Sequence, residues 1–520
     1  MRLAGVVRGF LRPVSAGVVL LTLVTLVTSC TASAPAPDGS PSAGGPVTRA
    51  GRGHPARPAT GGIETARVER SKPGSPGWQV MRIVDQADVE GYTDRDSVRA
   101  GDRVRLFVST TAGRFKVVAF RMGWYGGARA RAVWTSSWLR GVRQTPARVT
   151  GSVHRVDAPW RPSTTLETTG WPAGMYLLRL DTDRGAVRRF VPLVVRTAAA
   201  RGAVVLVNAN TTWQAYNHWG GYSLYRGPTG GDGDRARAVT FDRPYDYGAG
   251  AGDFIGAELP LLALAESLGL PLAYATDVDL HRDPHLLDGA RAVITLGHDE
   301  YWSPAMRTHV TLARDRGTNV AFLGANAIYR KIRLAATPLG AHRLQISYKD
   351  ASDPIPDPTQ VTTQWRAAPS NNPESTLTGA LYQCNPVRAD MIITEVGHWL
   401  LAGLNLTPGT RLPGLVGSEY DRVDLTAPTP RPIEVVAHSP VSCHGQPDHS
   451  DVAYYTTRSG AGVINVGTSD WIAALDSPHP DLRRIVRSIT TTLLTTFAAG
   501  PAGRTHPARD NATKYYQATR

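Results

Sequence analysis

Cysteine and lysine are scarce in this chain. Three cysteines occur in 520 residues, Cys30, Cys384 and Cys443, and the last two sit in neither a metal-like nor a nucleophile-like setting. That argues against a zinc-ribbon scaffold and a thiol-dependent enzyme. Only Lys72, Lys116, Lys331, Lys349 and Lys514 are lysines, so the net charge of +14 is almost entirely arginine, and the arginines are scattered. Scattered charge builds no groove for phosphates, and no nucleic-acid partner is expected. Long apolar runs are missing as well, with one exception near the start.

That exception is Ala16 to Val27, preceded by Arg2, Arg8 and Arg12 and closed by Val27-Thr28-Ser29-Cys30. The run is shorter than the about 20 residues that a membrane-spanning helix needs, and it reads as a secretion signal over 1–30. Small residues before a cysteine resemble the lipobox of bacterial lipoproteins. The resemblance implies cleavage before Cys30, lipidation of its thiol, and a protein anchored on the extracytoplasmic face of the cell membrane. Residues 31–76 are rich in Pro, Gly, Ala and Ser and poor in large apolar side chains, the composition of a disordered tether. In an exported protein Cys384 and Cys443 are free to form a disulfide.

Two folding patterns follow. Over 77–198, short alternating runs such as Val104–Val108, Lys116–Phe120, Met175–Leu180 and Phe190–Val195 are separated by glycine-rich turns, which predicts a β-sandwich. Within it, Gly123-Trp124-Tyr125-Gly126-Gly127 is either a packing corner or a contact to the next domain. From 199 to 500 strands alternate with helices: strand Ala203–Val207, helix Asp253–Leu268, strands Leu272–Ala275 and Ala292–Leu296, helix Ser303–Arg316 and strand Asn319–Leu323. This is the pattern of parallel βαβ units, and the fold class is α/β. A β-rich insertion is expected over about 345–460, a final amphipathic helix over Asp481–Phe497, and a flexible tail over 501–520.

Chemistry concentrates at strand ends. Gly297-His298-Asp299-Glu300-Tyr301-Trp302 follows a strand and precedes Ser303-Pro304, a helix-entry signal, so its carboxylates, imidazole and phenol belong on a turn at a strand's carboxyl end. The loop from Asn208 to Tyr225 follows the first α/β strand and is crowded with aromatic residues; Gly324-Ala325-Asn326 marks the exit of the strand at Asn319–Leu323.

Taken together, Thr212-Trp213-Gln214-Ala215-Tyr216-Asn217, His298-Asp299-Glu300-Tyr301-Trp302, Gly324-Ala325-Asn326, Gly417-Ser418-Glu419-Tyr420-Asp421 and Gly467-Thr468-Ser469-Asp470-Trp471 resemble the large subunit of N,N-dimethylformamidase. So does Gly123-Trp124-Tyr125-Gly126-Gly127. The resemblance runs from about Trp78 to Phe497. It implies a class I glutamine amidotransferase-like α/β domain, with Asn326 where amidotransferases carry a nucleophilic cysteine. It also implies a mononuclear iron, as Fe(III), held by two tyrosines and a glutamate. Carried over, these are Tyr216, Glu300 and Tyr245, with Tyr247 the alternative to Tyr245. His298, Asn326 and Glu419, and more weakly Lys349, match the surrounding polar residues. Hard oxygen donors suit a hard cation, and three protein ligands leave positions open for water and substrate. The implied function is hydrolysis of a small amide-containing substrate, with a small partner subunit or a homo-oligomer as possible assemblies. The alternative is a non-catalytic envelope protein that uses the aromatic loop 213–225 to bind glycan.

Overall fold

The computed structural model describes residues 63–80, 88–185, 188–350 and 352–516. The expected signal, Cys30 and most of the expected tether lie outside them. Among the described residues no helix is long and apolar enough to cross a membrane. The protein is a β-rich α/β structure built on mixed sheets.

Two larger sheets and a short pair, Arg148–Thr150 with Arg155–Asp157, form the N-terminal part. One is three-stranded, with Arg103–Thr110 between Val89–Thr93 and Thr164–Glu167. The other runs in the order Ser97–Val98, Arg188–Val195, Gly174–Thr182, Arg114–Met122, Ala130–Thr135. Alternate residues of each strand point inward, so Val104, Leu106 and Val108 meet Val117, Tyr176, Leu178 and Val191 in one apolar core.

A seven-stranded sheet dominates the rest. Its order is Leu272–Thr276, Val204–Asn208, Ala292–Thr295, Asn319–Phe322, Gly462–Asn465, Gln446–Thr456, Ile433–Cys443. The first five strands are parallel and the last two join as an antiparallel hairpin. The period of two divides the parallel strands between two cores. Val204, Leu206, Ile294 and Ala321 pack with helices Leu259–Ser267 and Pro480–Ala499. Val205, Val207, Val293 and Val320 pack with Asp277–Arg282 and Pro304–Asp315. Helices on both faces explain why these strands read as continuous apolar runs.

Four expectations need correction. The helix expected over Asp253–Leu268 is two, Gly252–Ala257 and Leu259–Ser267. Pro260 lacks the N–H an unbroken helix needs, and Glu258 at the break is held by Asn208 Nδ2, Ala209 N and Trp213 Nε1. The β-rich section is only partly an insertion. Leu381–Ile392 and Arg411–Arg422 form a separate pair, whereas Ile433–Cys443 and Gln446–Thr456 extend the main sheet.

The described part of the tether is folded. Helix Thr65–Glu69 buries Glu69, whose carboxylate accepts from Tyr125 Oη at 2.8 Å and Arg131 Nη2 at 2.7 Å. The tail is packed through Tyr516. Asn511 bonds both the N–H and the C=O of Val435, at 2.7 and 3.0 Å, and so covers the edge strand of the large sheet. Composition hid both segments because neither carries a core of its own; each is ordered by the surface it covers.

Cys384 and Cys443 are disulfide-bonded, 59 residues apart in sequence, tying the separate β pair to the sheet hairpin.

Candidate active site

The site is assembled at the carboxyl ends of three neighbouring parallel strands. After Val204–Asn208 the chain enters the short helix Asn210–Tyr216. Thr212 Oγ1 on that helix accepts the Glu300 N–H at 3.0 Å, and Thr211 Oγ1 donates to the Tyr301 carbonyl at 2.8 Å. Two turns from different strands are thereby fixed to each other. The Glu300 turn also requires glycine. Gly297 has φ 65°, and a Cβ at Gly324 would stand 2.3 Å from the Gly297 carbonyl oxygen, so the two strand exits touch through their backbones.

Past Tyr216 the chain doubles back. Gly220 and Gly221 take φ of 77° and 89°, and Leu224 N–H donates to the Ala215 carbonyl at 2.9 Å. The reversal lays the Tyr225 ring on that of Tyr216, with centroids 4.2 Å apart. Both hydroxyls then donate to the same atom, Glu300 Oε2, at 3.0 Å from Tyr216 and 2.6 Å from Tyr225. Tyr301 donates to the Tyr225 hydroxyl at 2.8 Å, and Lys349 Nζ lies 3.2 Å from the centre of the Tyr225 ring. Burial, followed by the Glu300 carboxylate, pushes the Tyr216, Tyr225 and Tyr301 phenols well above their ordinary range.

A second carboxylate faces the first across His298. Its Nε2 is 3.6 Å from Glu300 Oε2 and 3.2 Å from Glu419 Oε2. Glu419 Oε1 accepts from Asn326 Nδ2 at 3.1 Å and Asn385 Nδ2 at 3.2 Å, while Ser469 Oγ reaches Oε2 at 3.3 Å. Asn326 takes the left-handed conformation, φ 57°, and its N–H donates to Asp421, a carboxyl pushed up to about 7 by burial. Tyr216, His298, Glu300, Asn326 and Glu419, separated by up to 203 positions in sequence, thus form one cluster.

The remaining expectations fare differently. Tyr245 stands outside the cluster: its ring makes an edge contact to Trp213 at 6.2 Å, and its backbone carbonyl is held by Arg189 Nη2 at 2.6 Å beside the N-terminal sheets. Tyr247 is 66% exposed. The reason is chain direction: residues 241–252 run along the strand Arg188–Val195, whereas the reversal at Gly220-Gly221 returns Tyr225 to the site. Asp299 serves the backbone scaffold, accepting from Trp302 Nε1 at 2.7 Å, and burial pushes it up to about 8. In the aromatic loop Trp213 is buried against Phe254 and Trp219 packs edge-on against Trp160, while Tyr216 stays 40% exposed.

Tyr225, Asn385 and Ser469 were not singled out as site residues from the sequence. Only Tyr225 carries a usable signal, as one of two tyrosines, with Tyr222, that follow the Gly220-Gly221 turn on the same loop. A grouping of metal-ligand type elsewhere, Cys384, Cys443 and His444, has both sulfurs committed to the disulfide.

The family model described as N,N-dimethylformamidase beta subunit-like, C-terminal, matches residues 116–483. The chain belongs to this family. The matched span contains every residue of the dimethylformamidase beta-subunit-like cluster described above and excludes residues 63–80. No curated protein matches the chain.

Proposed function

We propose that this protein is an iron-dependent hydrolase of non-peptide amide C–N bonds, built on a class I glutamine amidotransferase-like framework and anchored outside the cell membrane. The observation that carries the reading is the convergence of the Tyr216 and Tyr225 hydroxyls on Glu300 Oε2. Two phenolic protons point at one carboxylate oxygen, which is where a cation would replace them. Phenols held so far above their ordinary range ionise only beside a strong positive charge, and three hard oxygen donors match ferric iron. The metal ligands are therefore Tyr216, Tyr225 and Glu300.

When bound, the iron supplies Lewis acidity, polarising a substrate carbonyl and acidifying water. The chain's own groups do the rest. Glu419, oriented by Asn326 and Asn385, takes the proton of the attacking water through its Oε2 edge. His298, between the two carboxylates, carries a proton to the leaving nitrogen as the C–N bond breaks. Asn326 Nδ2 has two hydrogens and one is committed to Glu419; the other is available to the developing oxyanion, an interaction worth about 3 to 4 kcal/mol.

The reading predicts about one iron per chain by elemental analysis, a visible phenolate-to-iron absorption, and hydrolysis within a panel of simple amides. Iron-free protein after reconstitution, or iron-loaded protein inert towards every amide, refutes it.

The anchor is a separate prediction. Cys30→Ser should move the protein from the membrane fraction to the soluble fraction, because attached acyl chains supply most of the membrane affinity. Membrane retention of the variant overturns the lipid attachment.

A further inference from the structure

A cavity of about 1040 Å³ opens from Tyr216 and His298 along the seam between the large sheet's helices and the N-terminal sheets, and its outer wall includes Tyr245, Asp246, Tyr247 and Asp253. The volume suits a drug-sized ligand, and an amide of a few heavy atoms fills only a fraction of it. The rest of the space therefore bears on what the substrate is.

The outer wall is unusually constrained. Gly248, Ala249 and Gly250 take consecutive left-handed conformations, φ 57°, 57° and 92°, and Ala249 has a Cβ that opposes this geometry. The segment is held there by its neighbours. Gly250 sits so close to strand Arg188–Val195 that a Cβ would come within 2.3 Å of the Phe190 carbonyl oxygen, and Arg189 Nη2 bonds the Tyr245 and Asp246 carbonyls at 2.6 and 3.2 Å. What this strain presents is the Tyr247 ring, 66% exposed, lying flat on Gly252 where any Cβ would strike its Cδ1 at 2.4 Å. The next residue is Asp253.

The wall offers Asp253 no salt-bridge partner, and His298 is the basic group whose charge acts on it. Among the described residues its carboxyl has no ion pair and no hydrogen-bond partner beyond its own backbone; burial and then the Asp246 carboxylate push it up to about 6. Glu258 accepts from Asn208, Ala209 and Trp213, and burial pushes its carboxyl well above the ordinary range. Arg226 is the one arginine or lysine among the residues that line this cavity, while Asp246 also interacts with Arg189 and Arg243 behind the wall.

We propose that Tyr247 and Asp253 form a cation-recognition subsite, and that the substrate is an amide carrying a protonated amine remote from its scissile C–N bond. An exposed aromatic ring and a carboxylate without an ion pair, lining one cavity, suit an ammonium group, which gains from both the ring and the charge. The inference rests on the amide-hydrolase reading of the site but is tested independently of turnover.

The probes are N-acetylputrescine and its neutral isostere N-pentylacetamide, with binding to the purified full chain measured by calorimetry. The cationic amide is expected to bind about tenfold more tightly, the scale of one desolvated cation–π contact with a nearby charge. Asp253→Asn and Tyr247→Ala should each bring the ratio close to one while iron content stays that of the wild type. Gly252→Ala, which displaces the ring and removes no functional group, should do the same. Equal binding of the two amides by wild-type protein, failure to bind either, or an unchanged ratio in Asp253→Asn overturns the proposal. A protein that keeps the ratio and hydrolyses neither amide refutes the hydrolase reading alone.

Discussion

Tyr225→Phe should abolish the phenolate-to-iron absorption contributed by that residue and weaken metal binding by more than about 100-fold. Loss of an outer partner of a metal ligand already costs about 10- to 100-fold, and this substitution removes a ligand atom itself. The change deletes one oxygen and leaves the ring stacked on Tyr216, so the fold should be unaffected. Tyr216→Phe and Glu300→Gln should behave alike, with hydrolysis falling to background in all three. Tyr245→Phe is the discriminating control, since the ring packs on Trp213 and its hydroxyl is not bonded to Glu300. Iron content and absorption measured side by side decide the assignment. Wild-type spectra in Tyr225→Phe, or their loss in Tyr245→Phe, would reverse the choice of second tyrosine.

Arg121→Met should destabilise the protein by about 3 to 5 kcal/mol, read as a shift of the urea midpoint, because it strands a carboxylate in a dry interior. Arg121 and Glu266 are both completely buried; Nη2 meets Oε1 at 2.6 Å, and Nη1 also reaches the Tyr125 hydroxyl at 2.9 Å. Arg121 belongs to the N-terminal sheets and Glu266 to the helix Leu259–Ser267, so the pair joins the sandwich to the α/β sheet. The double variant Arg121→Met with Glu266→Leu should recover a large part of the loss, since it removes both charges together. If the double variant is no more stable than the single one, the stabilisation comes from packing and not from the ion pair.

That pair also explains the glycine-rich aromatic turn Gly123-Trp124-Tyr125-Gly126-Gly127. Read alone, it fits a packing corner or a domain contact. In the structure the Trp124 N–H donates to Glu266 Oε2 at 3.1 Å, and a Cβ at Gly123 would fall 1.9 Å from that oxygen. The turn is the domain contact, and glycine at 123 leaves room for the carboxylate.

The sequence by itself determined the βαβ framework and half of the site. Runs such as Val204–Asn208 and Ala292–Thr295 are apolar on both faces, and Ser303-Pro304 starts a helix where Ser303 Oγ accepts the Met306 N–H. These are local properties, written in side-chain polarity and capping chemistry within a few residues. They suffice to put His298 and Glu300 on a turn at a strand end. Tertiary structure alone decided that Tyr225 joins Tyr216 on Glu300, the fixing of Glu419 by Asn385, and the order of the segments flanking both domains. Each depends on a chain reversal or a partner far away in sequence. Tyr225 reaches Glu300 only because Gly220 and Gly221 turn the loop back, and Asn511 is ordered only because an edge strand offers it an N–H and a C=O. Periodicity records which face of an element is buried, but it carries no record of which distant surface arrives to bury it.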